Sequence, residues 1–480
     1  MQAAILGAGV SGICMAIKLK QSGMSSFKIF EKSSKLGGTW FDNTYPGCAC
    51  DVPSHFYSYS FELKNDWTRV YSSSEEIREY LEYCAKKYDV FSHIEFNTEI
   101  KSASFDTEEN LWLLETKQGV HRKTKFLMSG LGQLNSPEIP NIQGQEIFQG
   151  KTFHSARWDH RFDMQDKEVA VIGNGGSAVQ FVADIGKKAK KLYIFQKSAH
   201  WAMERKDKPY SNVLKWIFKY IPLVLRLYRF RIWFLLGSNY FALVKRTWYS
   251  KILEAKTTKY MNSIVTDPEL VKKLTPDYSF GCKRVLVVED YYETLIKDNC
   301  ELIDIPIQRL GNNIIIDEQG KERKVDLIIY GTGFKTSKFL TPLKISGFEG
   351  KELNDSWSEG AEAHRGVTVS GFPNFFMLYG PNTNLGHNSI IFMIECQAKY
   401  IMQCIKKVLD NKNSYIDIKK AEMLKYNEDV QKGLEKTVFS SNCDSWYKNE
   451  KGKVVNNYHK GHISYWYENS KPNFKEFNFG

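Results

Sequence analysis

An α/β fold with two doubly wound, Rossmann-like domains is predicted, because one pattern of strand, glycine-rich turn and helix occurs twice in the sequence. The first copy begins at residue 3 and reads AAILGAGVSGICMAIKLK. The second begins at residue 168 and reads EVAVIGNGGSAVQFVADIG. A chain of 480 residues is also too long for one hydrophobic core. We therefore expect two domains of this class.

The first copy predicts a dinucleotide site. Gly7, Gly9 and Gly12 allow a tight turn and let a pyrophosphate approach the helix N-terminus, where free N–H groups and the helix dipole favour an anion. A second strand follows the helix and ends at Glu31. Because its carboxylate can accept hydrogen bonds from ribose hydroxyls, we expect a dinucleotide whose ribose hydroxyls are free.

The second copy repeats this pattern with alanine at the third place. Gly173, Gly175 and Ala178 take the three positions, and Ser177 lies beside them in the turn. Alanine is tolerated at the third place of such turns. A second dinucleotide site is therefore expected here.

The charge that follows each turn distinguishes the two sites. Glu31 lies twenty-four residues after Gly7, whereas Lys197, with Ser198 beside it, lies twenty-four residues after Gly173. A carboxylate repels a ribose 2′-phosphate and a lysine attracts one. We therefore expect the second site to prefer NADPH over NADH.

Two dinucleotide sites in one chain imply electron transfer between a nicotinamide and a second cofactor. The carboxylate after the second strand indicates that FAD occupies the first site. The late segment VDLIIYGTGF is expected to return to the FAD domain and to add the cofactor contacts Gly331, Thr332 and Gly333. No metal site is expected.

The predicted domains are discontinuous, with the NADP domain inserted into the FAD domain. The expected bounds are residues 1–140 and 327–480 for the FAD domain, 141–326 for the NADP domain, and about 206–280 for a helical insert within the latter.

Composition limits the class of protein and its partners. Hydrophobic residues make up 42% and charged residues 25%, as in ordinary folded proteins, and the formal net charge is +11. Most of this charge is expected to be diffuse surface lysine, and no nucleic-acid motif is present. Nine scattered cysteines do not indicate a disulfide framework, and no secretory signal is visible, so a cytoplasmic location is expected.

The most apolar stretch is VLKWIFKYIPLVLRLYRFRIWFLLG, residues 213–237. Pro222 is expected to kink it. Four charges at helical spacing exclude a transmembrane helix and form one basic stripe: Lys215, Lys219, Arg226 and Arg229. Weak peripheral contact with a membrane is one interpretation, and a helix packed between the domains is the favoured one. The longer aromatic and apolar run 213–248 is a candidate wall of a hydrophobic substrate entrance.

The segment between the two turns resembles a family fingerprint. Type I Baeyer–Villiger monooxygenases, which are class B flavoprotein monooxygenases, carry Phe-x-Gly-x-x-x-His-x-x-x-Trp followed by Pro or Asp. In this sequence those places are taken by Phe148, Gly150, His154, Trp158 and Asp159. The resemblance implies that the segment lies between the domains, where His154 either couples NADP binding to domain position or is a packed, hydrogen-bonded linker residue.

Further motifs of that family occur in the expected order and cover nearly the whole chain. They are Gly38-Thr39-Trp40, Tyr45-Pro46-Gly47 with Asp51, Lys283-Arg284 with Tyr291-Tyr292, GTGF at 331–334, and GFPNFFMLYGPNTNLGHNS at 371–389. Two segments depart from the pattern, AEAHRGVTVSG (361–371) and NNYHKG (456–461), and this leaves the substrate range open.

The resemblance implies an activity and roles for its residues. NADPH would reduce FAD, a flavin C4a-peroxide would form with O₂, and one oxygen atom would be inserted next to a ketone carbonyl to give an ester or lactone. Arg284 and Asp51 match the family's catalytic cation and its counter-charge. Lys283 matches a contact to the 2′-phosphate. Thr39 and Trp40 match residues that flank the flavin.

Three alternatives remain at this point. A flavin monooxygenase that oxygenates nitrogen or sulfur shares the cofactors, but it does not need Arg284 and usually lacks the Trp158-Asp159 ending. A flavin-disulfide reductase needs a suitably spaced cysteine pair, and Cys48 and Cys50 are too close together. A scaffold protein that binds membranes or nucleic acids through its basic charge would leave two intact dinucleotide turns unexplained.

Overall fold

A computed structural model describes residues 1–480 as a mixed α/β chain. The strands are β1 Ala3–Leu6, β2 Phe27–Phe30, β3 Ile94–Glu95, β4 Ile100–Asp106, β5 Leu111–Thr116, β6 His121–Thr124, β7 Phe126–Ser129, β8 Lys151–His154, β9 Glu168–Ile172, β10 Lys191–Phe195, β11 Ala202–Glu204, β12 Leu286–Val288, β13 Cys300–Ile303, β14 Ile307–Leu310, β15 Ile314–Asp317, β16 Glu322–Lys324, β17 Leu327–Tyr330, β18 Lys344–Ser346, β19 Phe375–Met377, β20 Ile416–Ile418 and β21 Phe477–Phe479. The α-helices are α1 Val10–Gln21, α2 Thr39–Asp42, α3 Ser74–Lys87, α4 Ala178–Lys188, α5 Asn212–Tyr220, α6 Pro222–Ser238, α7 Tyr240–Leu243, α8 Trp248–Asn262, α9 Pro268–Leu274, α10 Tyr291–Leu295, α11 Leu353–Ser356, α12 Ile390–Asp410, α13 Lys420–Glu435 and α14 His462–Glu468.

The first sheet is parallel and contains five strands in the order β19-β7-β1-β2-β3. All four residues of β1 are buried, as expected for a central strand covered on both faces. Helices α1 and α12 pack against each other beside this sheet, and their apolar residues belong to a core of 63 buried residues. The first glycine-rich turn joins β1 to α1.

The second sheet is also parallel, with the order β13-β10-β9-β17-β8. Its central strand β9 precedes the second glycine-rich turn, and α4 follows that turn. A separate core of 26 buried residues surrounds this second sheet. The predicted fold class, with two doubly wound domains, is therefore confirmed.

One expectation about the chain path is wrong. Strand β17 was expected to return to the first domain, but it pairs with β9 on one side and β8 on the other, inside the second sheet. All four of its residues are buried, so the strand completes the second sheet. The chain returns to the first domain with β18, which pairs with β4. A boundary at residue 327 is therefore too early.

Helices α5 to α9 lie between β11 and β12. The break at Pro222 is as expected, since α5 ends at Tyr220 and proline occupies the first position of α6. The favoured packing between domains is wrong for most of α5 and α6. Only Phe218, Leu225 and Ile232 are buried there, because a two-helix hairpin can bury a single apolar stripe.

Each helix of the chain is too short or too polar to span a bilayer.

One pair of cysteines forms a disulfide, between Cys282 and Cys443, with Cα atoms 6.5 Å apart. The two residues are 161 positions apart in sequence, so no local spacing indicated the pair. The other seven cysteines are free. The bond joins the loop before β12 to the C-terminal loop near residue 444.

Candidate active site

Both glycine-rich turns open onto one continuous cleft of about 1090 Å³. The cleft lies between the two sheets and is lined by residues from both turns, from the loop that follows α2, from the segment before β12 and from the C-terminal loop at 444–447. Electron transfer between two bound cofactors requires that both dinucleotide turns face the same space, as they do here.

The first turn has no room for larger residues. Gly7 has a φ of +94°, and a Cβ added to Gly12 would lie 1.8 Å from the Gly7 carbonyl oxygen. Glu31 is buried at the end of β2, and its carboxylate accepts a hydrogen bond of 2.7 Å from the Ala8 N–H. The Ser33 N–H donates to the other carboxylate oxygen at 2.8 Å. Glu31 thus holds the turn in place and also lines the cleft.

A fourth glycine, which sequence reasoning missed, closes this turn. Gly130 follows β7, its N–H donates to the Leu6 carbonyl at 2.8 Å, and a Cβ added to it would lie 3.0 Å from the Gly12 nitrogen. The signal was present in FLMSGLG, an apolar strand followed by two glycines, which has the same form as LIIYGTG at 327–333.

The second turn is closed in the same way. Gly173 has a φ of +104°, and a Cβ on it would lie 2.4 Å from the carbonyl oxygen of Gly331. The Gly331 N–H donates to Ile172 at 2.8 Å, and its own added Cβ would meet the Ala178 Cβ at 3.3 Å. Gly331 therefore serves the second turn, which corrects its expected place in the first domain.

The remaining residues predicted for this turn also line the cleft. An added Cβ on Gly175 would meet nothing within 4 Å, so the space beside the start of α4 is open. Ser177 precedes the first residue of α4. Thr332 donates its hydroxyl to the Glu138 carbonyl, and Gly333 has a φ of +82°.

The side chains of Lys197, Ser198 and Lys283, which are predicted to contact the 2′-phosphate, lie close together just after the C-terminal end of β10. The Lys283 ammonium donates to the Ser198 hydroxyl at 2.6 Å, although 85 residues separate them. Burial lowers the pKa of Lys283. The Lys197 ammonium lies 2.5 Å from a carboxylate oxygen of Asp444, which the sequence did not single out. The hydrogen bond from Lys197 lowers the pKa of Asp444.

Arg284 and Asp51 form an ion pair in the cleft, although they are 233 residues apart. The Asp51 charge raises the pKa of Arg284 further above its ordinary value. Burial opposes ionisation of Asp51, but the charge and hydrogen bond of Arg284 outweigh it and lower the pKa of the carboxyl. The arginine side chain lies deep in the protein and is nevertheless 43% exposed, because it opens onto the cleft.

Two tyrosines that sequence reasoning missed line the cleft with Arg284. Burial raises the pKa of Tyr447 to about 12 and that of Tyr379 still further, so both remain neutral hydroxyl donors. The Tyr379 hydroxyl donates to the Asn384 side-chain oxygen at 2.9 Å, and Asn384 donates to the Asn457 side-chain oxygen at 2.7 Å. These two hydrogen bonds place Asn457 beside the cleft. Asn457 belongs to segment 456–461, which departs from the family pattern.

The residues expected next to the flavin lie against the first turn. A Cβ added to Gly38 would lie 3.0 Å from the Gly9 Cα, so the two backbones nearly touch. Thr39 and Trp40 begin the short helix α2 and line the cleft. The Trp40 indole N–H donates to the Tyr57 hydroxyl at 3.2 Å.

His154 is buried and both of its ring nitrogens have partners. The Ala156 N–H donates to Nδ1 at 3.1 Å, so Nε2 carries the hydrogen and donates to the Gly333 carbonyl at 3.0 Å. Burial lowers the pKa of His154, which favours the neutral ring. This is the geometry of a packed linker histidine, and the bond to Gly333 also connects it to the second cofactor turn.

Trp158 connects the two domains. Its ring lies 5.1 Å from that of Phe181 on α4 and 6.4 Å from that of Tyr45, which belongs to the first-domain motif Tyr45-Pro46-Gly47. The Tyr45 hydroxyl in turn donates to Gln180 on α4 at 3.2 Å. The expected place of the segment between the domains agrees with these contacts.

The other fingerprint residues support this segment. A Cβ added to Gly150 would lie 2.5 Å from the Phe148 ring, so these two residues pack directly on each other. Asp159 pairs with Lys151 at 2.9 Å and with Arg161 at 3.1 Å. No group of three His, Cys, Asp or Glu side chains is arranged to hold a metal ion.

Known proteins share this sequence and architecture. Residues 1–344 match the model of the flavin-binding monooxygenase-like family. A Baeyer–Villiger monooxygenase of Pseudomonas aeruginosa is 42% identical over 92% of this chain and 84% of its own length. One of Streptomyces coelicolor is 36% identical over 94% of this chain and 88% of its own length. The crystal structure of OTEMO in complex with FAD and NADP superimposes with a TM-score of 0.89 at 27% identity, over 100% of this chain and 99% of that one. The resemblance seen in the fingerprint is thus confirmed, and the chain belongs to the flavin-binding monooxygenase-like family, among its Baeyer–Villiger monooxygenases.

Proposed function

We propose that this protein is an FAD- and NADPH-dependent Baeyer–Villiger monooxygenase, which inserts one oxygen atom from O₂ next to a ketone carbonyl to give an ester or lactone. The observation that carries the proposal is the Arg284–Asp51 ion pair, set in a cleft shared by two dinucleotide turns. Relatives that carry this activity in their names cover nearly the whole chain.

The first turn fits FAD. A Cβ on Gly7 or Gly12 would meet backbone atoms, Gly9 lines the cleft without a side chain that would block a pyrophosphate at the start of α1, and Glu31 lies where ribose hydroxyls would be bound. Thr39 and Trp40 would contact the flavin end. When bound, FAD supplies the redox chemistry that accepts hydride from NADPH and activates O₂.

The second turn fits NADPH. Lys197, Ser198 and Lys283 place two ammonium groups and a hydroxyl together beyond β10, where the 2′-phosphate of the cofactor would lie. The open space beside Gly175 and the N-terminus of α4 suit the pyrophosphate. An NADH molecule would leave both ammonium groups without a phosphate partner.

Arg284 carries out the central electrostatic task. Its raised pKa keeps it charged at every working pH, so it can stabilise the negative charge that develops on oxygen during attack on the ketone. Asp51 orients the guanidinium and moderates its charge. The neutral Tyr379 and Tyr447 can donate hydrogen bonds without adding negative charge to the site.

The substrate is a small hydrophobic ketone. Leu236 and Leu243, from the helices of the insert, line the same cleft as Arg284. Apolar side chains of this kind bind the body of a ketone, while the arginine binds its carbonyl end. A sulfide of similar shape would also fit this space.

A product analysis tests the proposal. The FAD-loaded enzyme is given NADPH, isotopically labelled O₂ and a panel of linear, cyclic and aryl ketones with one aryl sulfide. We expect an ester or lactone that carries one labelled oxygen. Arg284→Ala should lower the rate of ketone oxidation by roughly 100-fold or more, whereas Arg309→Ala, which alters an exposed arginine on β14, should not. Sulfoxide as the sole product, formed equally by Arg284→Ala, would instead identify a heteroatom oxygenase.

A further inference from the structure

The hairpin of α5 and α6, with α7 and the start of α8 that follow it, carries about half of the exposed large hydrophobic side chains of the molecule. The chain has 23 large hydrophobic side chains that are exposed, and twelve of them lie between residues 213 and 252. They are Val213, Trp216, Tyr220, Ile221, Leu223, Leu227, Phe230, Phe234, Leu235, Phe241, Trp248 and Ile252. Nine of the twelve belong to the hairpin itself, and such a concentration of exposed apolar side chains on a folded protein marks a place where something binds.

The hairpin is held to the protein by its other side. Phe218 is buried and packs against the His55 ring, with centroids 4.7 Å apart. The Arg229 guanidinium donates to the carbonyl oxygens of His55 and Ser58 and to the Ser58 hydroxyl, at 2.6 to 3.0 Å. Arg229 is therefore a structural anchor and no part of a surface stripe. Because the inward side is fixed, the exposed side chains do not belong to an incomplete core.

The charge within this segment of the chain has one sign, and the nearby carboxylates Glu395 and Asp410 belong to α12. Residues 208–253 contain nine lysines and arginines and no aspartate or glutamate, in a chain whose formal net charge is +11. None of the nine forms an ion pair with an acidic side chain. Arg226, Arg231, Lys245 and Arg246 are exposed between the apolar side chains. The segment thus joins exposed hydrophobic groups to exposed positive charges that form no ion pair.

The apolar surface continues onto a neighbouring helix. The Trp233 ring lies 4.8 Å from that of His462, at the start of α14. On the same helix Trp466 is 49% and Tyr467 is 74% exposed. Tryptophan and tyrosine are the side chains that favour the boundary between lipid headgroups and acyl chains.

We propose that the outer face of α5 and α6, extended by α14, docks onto an anionic phospholipid bilayer. Its apolar side chains would enter the headgroup boundary, and its lysines and arginines would bind lipid phosphates. A second copy of this chain is a poor occupant, because two such faces would bring together two uncompensated positive charges. A nucleic acid would bind the cations and leave the leucines and phenylalanines exposed to water.

The docked face adjoins the active site. Leu236 and Asn239, at the C-terminal end of α6, line the cleft that contains Arg284, while Phe234 and Leu235 face outward. A ketone dissolved in the bilayer would therefore reach the cleft along one helix. This last step rests on the proposed function, whereas docking does not.

Vesicle sedimentation without turnover tests docking. The FAD-loaded protein is mixed with vesicles of phosphatidylcholine alone, or of phosphatidylcholine with an equal part of phosphatidylglycerol. We expect at least about tenfold stronger binding to the anionic vesicles, weakened by added salt. Trp216→Ser with Leu227→Ser should reduce binding to the anionic vesicles about tenfold or more. Leu424→Ser, at an exposed leucine on α13, should leave binding unchanged.

The variants are checked for folding by thermal melting and by their rate with a water-soluble ketone, which should match the unchanged protein. Equal binding to both kinds of vesicle would overturn the electrostatic part of the proposal. Absence of vesicle binding, together with a dimer that Trp216→Ser and Leu227→Ser dissociate, would assign this surface to a second copy instead. Because sedimentation requires no substrate, a failure of the proposed activity would leave the result intact.

Discussion

Replacement of Lys283 by alanine is the sharpest test of how the second cofactor site selects its dinucleotide. The Lys283 ammonium is half-buried and is held 2.6 Å from the Ser198 hydroxyl, so its position is fixed before a cofactor binds. The exposed Lys197 is held by Asp444 instead. We therefore expect Lys283 to make the larger contribution to binding of the 2′-phosphate.

The magnitude follows from Coulomb's law. Two unit charges about 4 Å apart interact by about 1 kcal/mol in water and about 4 kcal/mol at an effective dielectric constant of about 20. A half-buried lysine at the edge of a cleft falls toward the lower value, and about 1.4 kcal/mol corresponds to a tenfold change in affinity. Lys283→Ala should thus raise the KM for NADPH about ten- to thirtyfold and that for NADH by less than about twofold.

The assay measures initial rates of cofactor oxidation by FAD-loaded enzyme over a range of NADPH or NADH concentrations. Lys187→Ala provides the matched control, because Lys187 is an exposed lysine on α4 without an ion pair. An equal rise in both KM values would refute the reasoning, since it would show that Lys283 supports the fold of the site and does not recognise the phosphate.

Three further predictions concern the same cleft. Asp444→Asn removes a negative charge that lies beside the 2′-phosphate site, and should lower the dissociation constant for NADPH about three- to tenfold in a fluorescence titration, with little effect on NADH. Gly12→Ala would place a Cβ 1.8 Å from the Gly7 carbonyl oxygen, so the variant should lose bound FAD, seen as absent flavin absorbance, and melt at a lower temperature. The pKa of Asp51 is lowered in the folded protein, so the stability from its pair with Arg284 is fully present above the unfolded pKa of about 3.9 and is lost as pH falls through the folded value. Unfolding by urea should therefore show no difference in pH dependence between the unchanged protein and Asp51→Asn from about pH 5 to pH 8, and a difference should develop only below about pH 4.

The local parts of the site can be predicted from the sequence. The two glycine-rich turns, with Glu31 and Lys197 at the same distance from each, follow from steric and charge requirements that act within about thirty residues. The pair of Arg284 and Asp51 came from family resemblance alone, because nothing in a chain segment indicates a partner 233 residues away.

The errors arose where partners are chosen between distant segments. An apolar strand such as β17 fits either parallel sheet, and only its pairing with β8 and β9 assigns it to the second. The closure of the first turn by Gly130 and the bond between Cys282 and Cys443 are likewise contacts over long sequence distances.

The exposed hairpin was misjudged for a different reason. Hydropathy does not say whether an apolar helix faces a core or another apolar medium. The absence of acidic residues from 208 to 253 was visible in the sequence and is one of the observations on which the proposed docking surface rests.

The closure of each glycine-rich turn by a glycine from the neighbouring strand has an evolutionary consequence. In both domains the fit is made at the backbone, Gly130 against Gly12 and Gly331 against Gly173, so these four glycines cannot be replaced to change the preferred ligand. Discrimination must then reside in other residues, which can mutate without rebuilding this contact. Two copies of one structural unit can in this way acquire different ligands by a few substitutions, as the contrast between a glutamate and a lysine at equivalent places illustrates.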